Sequence, residues 1–237
     1  MKTILITGAS SGIGHATALE FLNAGWTVGL VARRADRLKA LAEDHAKAIP
    51  LPADVTDAGA MQIAVETFVQ RAGRLDALFN NAGTFGPAGP VDDIDPDSFD
   101  EVVAVNIRGM FIAARLAFAQ MRRQQPRGGR IINNGSISAH VPRPGSFCYT
   151  TTKHAVTGMT RSLSLDGRPH DIACGQIDIG NAESELVADL KSHQPDMETM
   201  DVAHAARSVL HMANLPLEAN VQFMTVMATK MPYIGRG

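Results

Sequence analysis

At 237 residues, with 45% hydrophobic and 19% charged side chains, the chain is long enough for one α/β domain and ordinary enough to bury a sizeable core. A formal charge of −2 excludes the strongly basic surface that a polyanion partner needs, so no nucleic-acid partner is expected. Cys148 and Cys174 form neither a metal-ligand spacing nor a disulfide framework, and no signal segment or uninterrupted apolar run of membrane-spanning length is present, so the expectation is no metal, no membrane and a cytoplasmic location.

Lys2–Thr7 is a short apolar, β-rich run that reads as a buried parallel strand. It enters the glycine turn Gly8 to Gly14, and His15–Ala24 then reads as a helix ended by Gly25. Strand, glycine turn and helix are what a dinucleotide pyrophosphate needs, because main-chain N–H groups approach the phosphates and the helix N-terminus favours negative charge. The spacing is Gly-x-x-x-Gly-x-Gly, and a simple tight connection has the same signature.

Trp26–Val31 reads as the second strand, and Arg33 and Arg34 follow where an acid for a ribose 2′-hydroxyl would be expected. A guanidinium there suits a 2′-phosphate, which predicts NADP(H) over NAD(H) with Arg33 as the main determinant. Asp36 lies beyond both arginines, inside the next helix. Ile49–Val55 is a third strand whose Asp54 either faces an adenine ring or caps the helix starting near Asp57. Asp57–Ala72 reads as that helix and Leu75–Phe79 as the fourth strand. Asn80-Asn81-Ala82-Gly83 then makes either a plain turn or a bed of amides and small residues beside a ribose.

Residues 84–96 form a long loop fit to rim a pocket. Asp97 or Ser98 can cap a helix running to about Gln124, on whose apolar stretch Asn106 needs hydrogen-bond partners. Gly129–Asn134 is the fifth strand and delivers Ser136. Tyr149 and Lys153 follow, four residues apart at the head of a helix, so phenol and ammonium share a face. A phenol with a pKa of about 10 is a poor base at neutral pH, but a nearby cation stabilises its phenolate. The tuned group then exchanges a proton with a carbonyl or alcohol oxygen that Ser136 holds. By itself Tyr-x-x-x-Lys is also ordinary helix surface. Between these residues, His140 is either a second proton donor or an exposed loop histidine, Arg143 meets a carboxylate or only solvent, and Cys148 packs.

Taken together, Thr7 to Gly14, Asn80 to Gly83, Asn106, Ser136 and Tyr149-x-x-x-Lys153 resemble, in order and spacing, the short-chain dehydrogenase/reductase family across nearly the whole chain. The resemblance implies one doubly wound, Rossmann-like α/β domain over 1–237 with a seven-stranded parallel sheet, a bound NADP, and a homotetramer or homodimer. Tyr149 would be the acid/base, Lys153 would tune it and hold the nicotinamide ribose, Ser136 would orient the substrate oxygen, and Asn106 would position a relay water. The dinucleotide would lie against Gly8, Ser10, Ser11, Gly12, Ile13 and Gly14, then Arg33, Arg34, Asp54 and Val55. Asn81, Ala82, Gly83, Ile179 and Gly180 would complete its bed with Tyr149 and Lys153. The helices at 100–123 and 150–165 would pair between subunits, although an intramolecular core explains their apolar stripes as well.

Ile172–Ile177 reads as a sixth strand, after which the family's Pro-Gly is replaced by Ile179-Gly180, with Ser184 the nearest hydroxyl. Residues 182–199, with Glu183, Glu185, Asp189, Lys191, His193 and Asp196, form a substrate lid or a solvated helix. Met200–Ala213 is a helix, Val221–Met227 a last strand, and the tail from Met231 to Gly237 is too short for a domain. The expected activity is NADP(H)-dependent interconversion of a carbonyl and an alcohol on a small to medium substrate. A 3-oxoacyl-carrier-protein reductase is the narrower alternative, with Arg122, Arg123, Arg127 and Arg130 either a docking cluster or simply cations that complement a helix C-terminus. A non-catalytic NADP sensor is the other, and Ser136, Tyr149 and Lys153 argue against it.

Overall fold

The computed structural model describes residues 2–184, 187, 191 and 196–234. Alternation along the first strand sets the architecture. Ile4 and Ile6 of β1 (Thr3–Thr7) pack into one buried cluster and Leu5 into a second, so the sheet is covered on both faces. Seven strands pair in parallel in the order β3-β2-β1-β4-β5-β6-β7. Besides β1 they are β2 (Thr27–Ala32), β3 (Ala48–Pro52), β4 (Ala77–Asn80), β5 (Gly129–Asn134), β6 (Ile172–Gly180) and β7 (Phe223–Met227). Pro50 and Pro52 are tolerated in β3 because it is an edge strand, and the proline positions alternate with the donors that face β2.

One face carries α1 (Gly12–Asn23) against α7 (Val202–Asn214), with Phe21, Val209 and Met212 fully buried beside Leu30, Phe79 and Ile177. The other takes Phe68 of α3 (Ala58–Ala72) and Ile112, Ala117 and Met121 of α5 (Met110–Arg123) onto Leu5, Leu78 and Ile131. Each fully buried Val, Leu, Ile, Phe or Met side chain among these contributes about 1.5–3 kcal/mol. The remaining helices are α2 (Ala35–Glu43), α4 (Pro96–Val103) and α6 (Phe147–Gly167).

Two expectations change in the helix before β5. Its cap is Asp95, which accepts from the Ser98 N–H at 3.1 Å, not Asp97 or Ser98; Pro96 occupies the first turn, where no N–H is required. The helix is also interrupted: Ala104–Gly109 forms a π-helical turn between α4 and α5, centred on Asn106. Taken with its π-helical turn, the span Pro96–Arg123 is long and apolar enough to cross a membrane, with a mean hydropathy of 1.6, yet it lays Ile112, Ala113 and Met121 on the sheet.

Two of the four arginines in the possible docking cluster are engaged within the protein itself. Arg130 opens β5 and is only 2% exposed; its guanidinium donates to Asn220 Oδ1 and to the main-chain oxygens of Leu215, Pro216 and Ala219. Arg127 pairs with Asp171 at 3.0 Å. Both lie at the N-terminal edge of the sheet, whereas Ser136 follows the C-terminal end of β5.

Candidate active site

In a parallel sheet the ligand crevice opens where the strand order reverses, here between β1 and β4. The loops leaving β1, β2, β3 and β4 converge at that edge on a cavity of about 730 Å³. Its walls carry Gly8, Ser10, Ser11, Gly12, Ile13, Arg33, Arg34, Asp54, Val55, Asn81, Ala82, Gly83, Ile179 and Gly180, together with Ser136, Tyr149 and Lys153. Gly14 and Asn106 do not border it. Gly14 lies beneath the turn, where a Cβ would come within 2.2 Å of the Gly8 oxygen. Tertiary hydrogen bonds hold the bed together. Thr7 Oγ1 accepts from the main-chain N–H groups of Asn81 and Ala82, and Asn134 Nδ2 donates to Asn81 Oδ1.

The residues present fit a dinucleotide. Among the described residues no side chain caps α1 and no acid sits in its first turn, and Gly12 and Ile13 border the cavity, so this helix N-terminus suits an anion. Arg34, at the head of α2, donates to the hydroxyls of Ser10 and Ser11, which brings a guanidinium to the same turn. Arg33 stands in the cavity wall close enough to help lower the Asp54 carboxyl, although the Thr56 N–H bonded to Asp54 is the larger cause. Asp57, not Asp54, caps α3. Asn134 Oδ1 is buried in the same wall with no partner among the described residues.

Ser136, Tyr149 and Lys153 meet at the other end. Tyr149 and Lys153 lie in the first two turns of α6, with Lys153 Nζ 5.4 Å from the phenol ring centroid. Phe85 packs edge-on against the Tyr149 ring at 4.7 Å. Burial, not the cation, dominates the phenol: desolvation holds Tyr149 above its ordinary pKa, against the lowering effects of the Ser136 hydroxyl and Arg143, while Asp178 adds to the rise. The expected lowering is therefore reversed, and the group is held as a proton donor. Burial also pulls Lys153 down to about 8, opposed by Asp178.

Asn106 is fully buried and its side chain is spent on protein: Oδ1 accepts from the Thr84 N–H, and Nδ2 donates to Thr84 O and Thr152 Oγ1. It clamps the loop after β4 to α6. Ile179, in the place of a proline, continues β6 in register with Val226 of β7, and Gly180 pairs with Met227. A proline there would remove one N–H from the strand; isoleucine keeps it. The ends of the segment following β6 are stapled, since Asn181 and Glu183 exchange main-chain hydrogen bonds with Met200, and Thr199 donates to Glu183. Glu185, Asp189 and His193 lie outside the described residues. β6 runs on to Gly180, past the expected end at Ile177, and so buries Asp178 between Ile177 and Ile179; an acid flanked by isoleucines is the signal that the sequence offers for it.

A family model described as short chain dehydrogenase matches residues 2–195. The chain is 37% identical over 203 residues to the A-factor type gamma-butyrolactone 1′-reductase (1S-forming) of Streptomyces virginiae, covering 84% of this chain and 79% of that protein. It is similar to the 3-ketoacyl-(acyl-carrier-protein) reductase of Brucella melitensis complexed with NADH, with TM-score 0.88, 25% identity and coverage of 96% and 97%. ElxO with NADP bound superposes with TM-score 0.87 at 25% identity, covering 95% and 97%. Model match and sequence identity agree with the parallel sheet, the glycine turn and the Tyr149–Lys153 pair: the chain belongs to the short-chain dehydrogenase family.

Proposed function

We propose that the protein is an NADP(H)-dependent oxidoreductase that interconverts a carbonyl and an alcohol on a small to medium substrate. The observation that carries this reading is the convergence of Ser136, Tyr149 and Lys153 on the same cavity as the glycine turn and Arg33. When bound, the nicotinamide supplies or accepts the hydride. The protein supplies the proton: Tyr149, kept protonated by burial, donates to the forming alkoxide, and Ser136 holds that oxygen. Lys153 places a buried ammonium beside the phenol, and Asn106 acts as a positioning residue through Thr84 and Thr152. Arg33 supports a preference for the 2′-phosphate, a choice that matters because one similar structure holds NADH and another NADP.

Phe85 and Val105 bound the substrate end together with Arg143. Phe111 and Leu165 leave large apolar side chains on the outer faces of α5 and α6, which supports a homodimer or homotetramer built on these helices. The reductase reading is tested by following NADPH oxidation against ketones, aldehydes, diketones and an acetoacetyl thioester. Turnover that disappears in Tyr149→Phe supports it; tight NADPH binding without turnover across the panel overturns it.

A further inference from the structure

Asp178 is a carboxylate where burial alone would exclude one. It stands in β6 between Ile177 and Ile179, 1% exposed, and the chemistry above does not use it. An ionised carboxylate is stable in such a place only if donors converge on it. Asp178 Oδ1 accepts from the Ser136 N–H at 2.9 Å and from Gln176 Nε2 at 2.7 Å, and Oδ2 lies 2.8 Å from His140 Nε2. The end of β5 is bare at the matching point. A Cβ at Gly135 would come within 2.1 Å of Asp178 Oδ1 and 2.6 Å of Gln176 Nε2, so glycine at 135 and the acid at 178 depend on each other.

The connections extend beneath the active site. Gln176 Nε2 also donates to Thr157 Oγ1 at 3.0 Å, and Gln176 Oε1 accepts from Thr160 Oγ1, which itself accepts from Asn133 Nδ2. Thr157 and Thr160 belong to α6, the helix that presents Tyr149 and Lys153. Asp178 thus joins the turn carrying Ser136 to the helix carrying the proton donor, and His140 closes the outer end with a side chain 39% exposed.

We propose that Asp178, with His140 as its solvent-side partner, is a positioning residue for the reaction: it fixes Ser136 relative to Tyr149 and Lys153 and keeps a negative charge beneath them. The inference rests on the oxidoreductase reading. The charged and titratable groups facing Asp178 are Tyr149 and Lys153 from α6 and His140 from the preceding loop, while Arg143 acts on Tyr149 in the opposite sense. The carboxylate raises both Tyr149 and Lys153, which keeps the pair loaded with protons, as carbonyl reduction requires.

Asp178→Asn tests this, since it keeps the shape and removes the charge. The expected result is a kcat lower on the order of 10-fold, because small misplacements at a reacting centre are costly. NADPH affinity stays unchanged, and the alkaline limb of the reduction profile moves to lower pH. Made in a Tyr233→Phe background, the variant leaves Tyr149 as the sole tyrosine, and its isotope-labelled ring-carbon resonance should titrate at lower pH in Asp178→Asn. An unmoved kcat, limb and titration overturn the inference. Should Asp178→Asn fail to fold, His140→Ala carries the test: a severalfold loss in kcat at constant NADPH affinity supports it, and unchanged kcat overturns it. Active enzyme with an unmoved titration sinks this inference alone. A shifted titration in a protein that reduces nothing sinks the reductase reading and leaves the electrostatic link standing.

Discussion

Lys153 Nζ donates to the main-chain oxygen of Asn134 at 2.7 Å. The bond ties α6 to the last residue of β5, two residues before Ser136, so the strand and the helix that supply the reactive side chains share one buried cation. Because burial brings Lys153 down to about 8, the ammonium is present below that pH and is lost as pH rises through it. Carbonyl reduction should therefore hold level below about pH 8 and decline above it. Lys153→Arg keeps the charge at all accessible pH, so its profile should lose this limb even though kcat drops. Steady-state rates across pH check both statements.

Tyr149→Phe removes the proton donor and preserves the ring that packs on Phe85. A fall in kcat of about 100- to 10,000-fold is expected, the usual contribution of general acid catalysis. NADPH affinity, read by fluorescence titration, should hardly change. Retained turnover would remove Tyr149 from the mechanism.

Arg33→Ala separates the two cofactors. Loss of one charge-assisted contact to a 2′-phosphate should lower kcat/KM for NADPH by roughly 10- to 100-fold and leave NADH little affected. Equal losses with both cofactors would mean that Arg33 does not read the phosphate. Arg34→Ala is the informative comparison, because Arg34 contacts Ser10 and Ser11 and its removal should weaken both cofactors.

Arg130→Met tests structure at the far edge of the sheet. Its guanidinium satisfies Asn220 and three main-chain oxygens in a buried setting, and stranding those acceptors should destabilise the fold by about 2–4 kcal/mol. Denaturant unfolding measures this. The KM for substrate should remain as in the parent protein, since Arg130 lies at the edge opposite Ser136.

Much of the molecule is decided by short-range pattern. The apolar run in Thr3–Thr7, the glycines at the head of α1, the asparagine turn after β4 and the four-residue step from Tyr149 to Lys153 are local features, and local geometry makes each legible in the sequence. What only the tertiary structure decided depends on neighbours distant in the chain. Arg130 reads as surface charge until the 215–220 segment closes over it, and the Tyr149 phenol reads as cation-tuned until burial outweighs the cation. Asn106 reads as a lone polar residue until Thr84 and Thr152 meet it. Asp178 and Gly135, forty-three positions apart, become one feature only when β5 and β6 align in register. Desolvation and hydrogen-bond satisfaction are properties of the enclosed volume, and no window of sequence contains that volume.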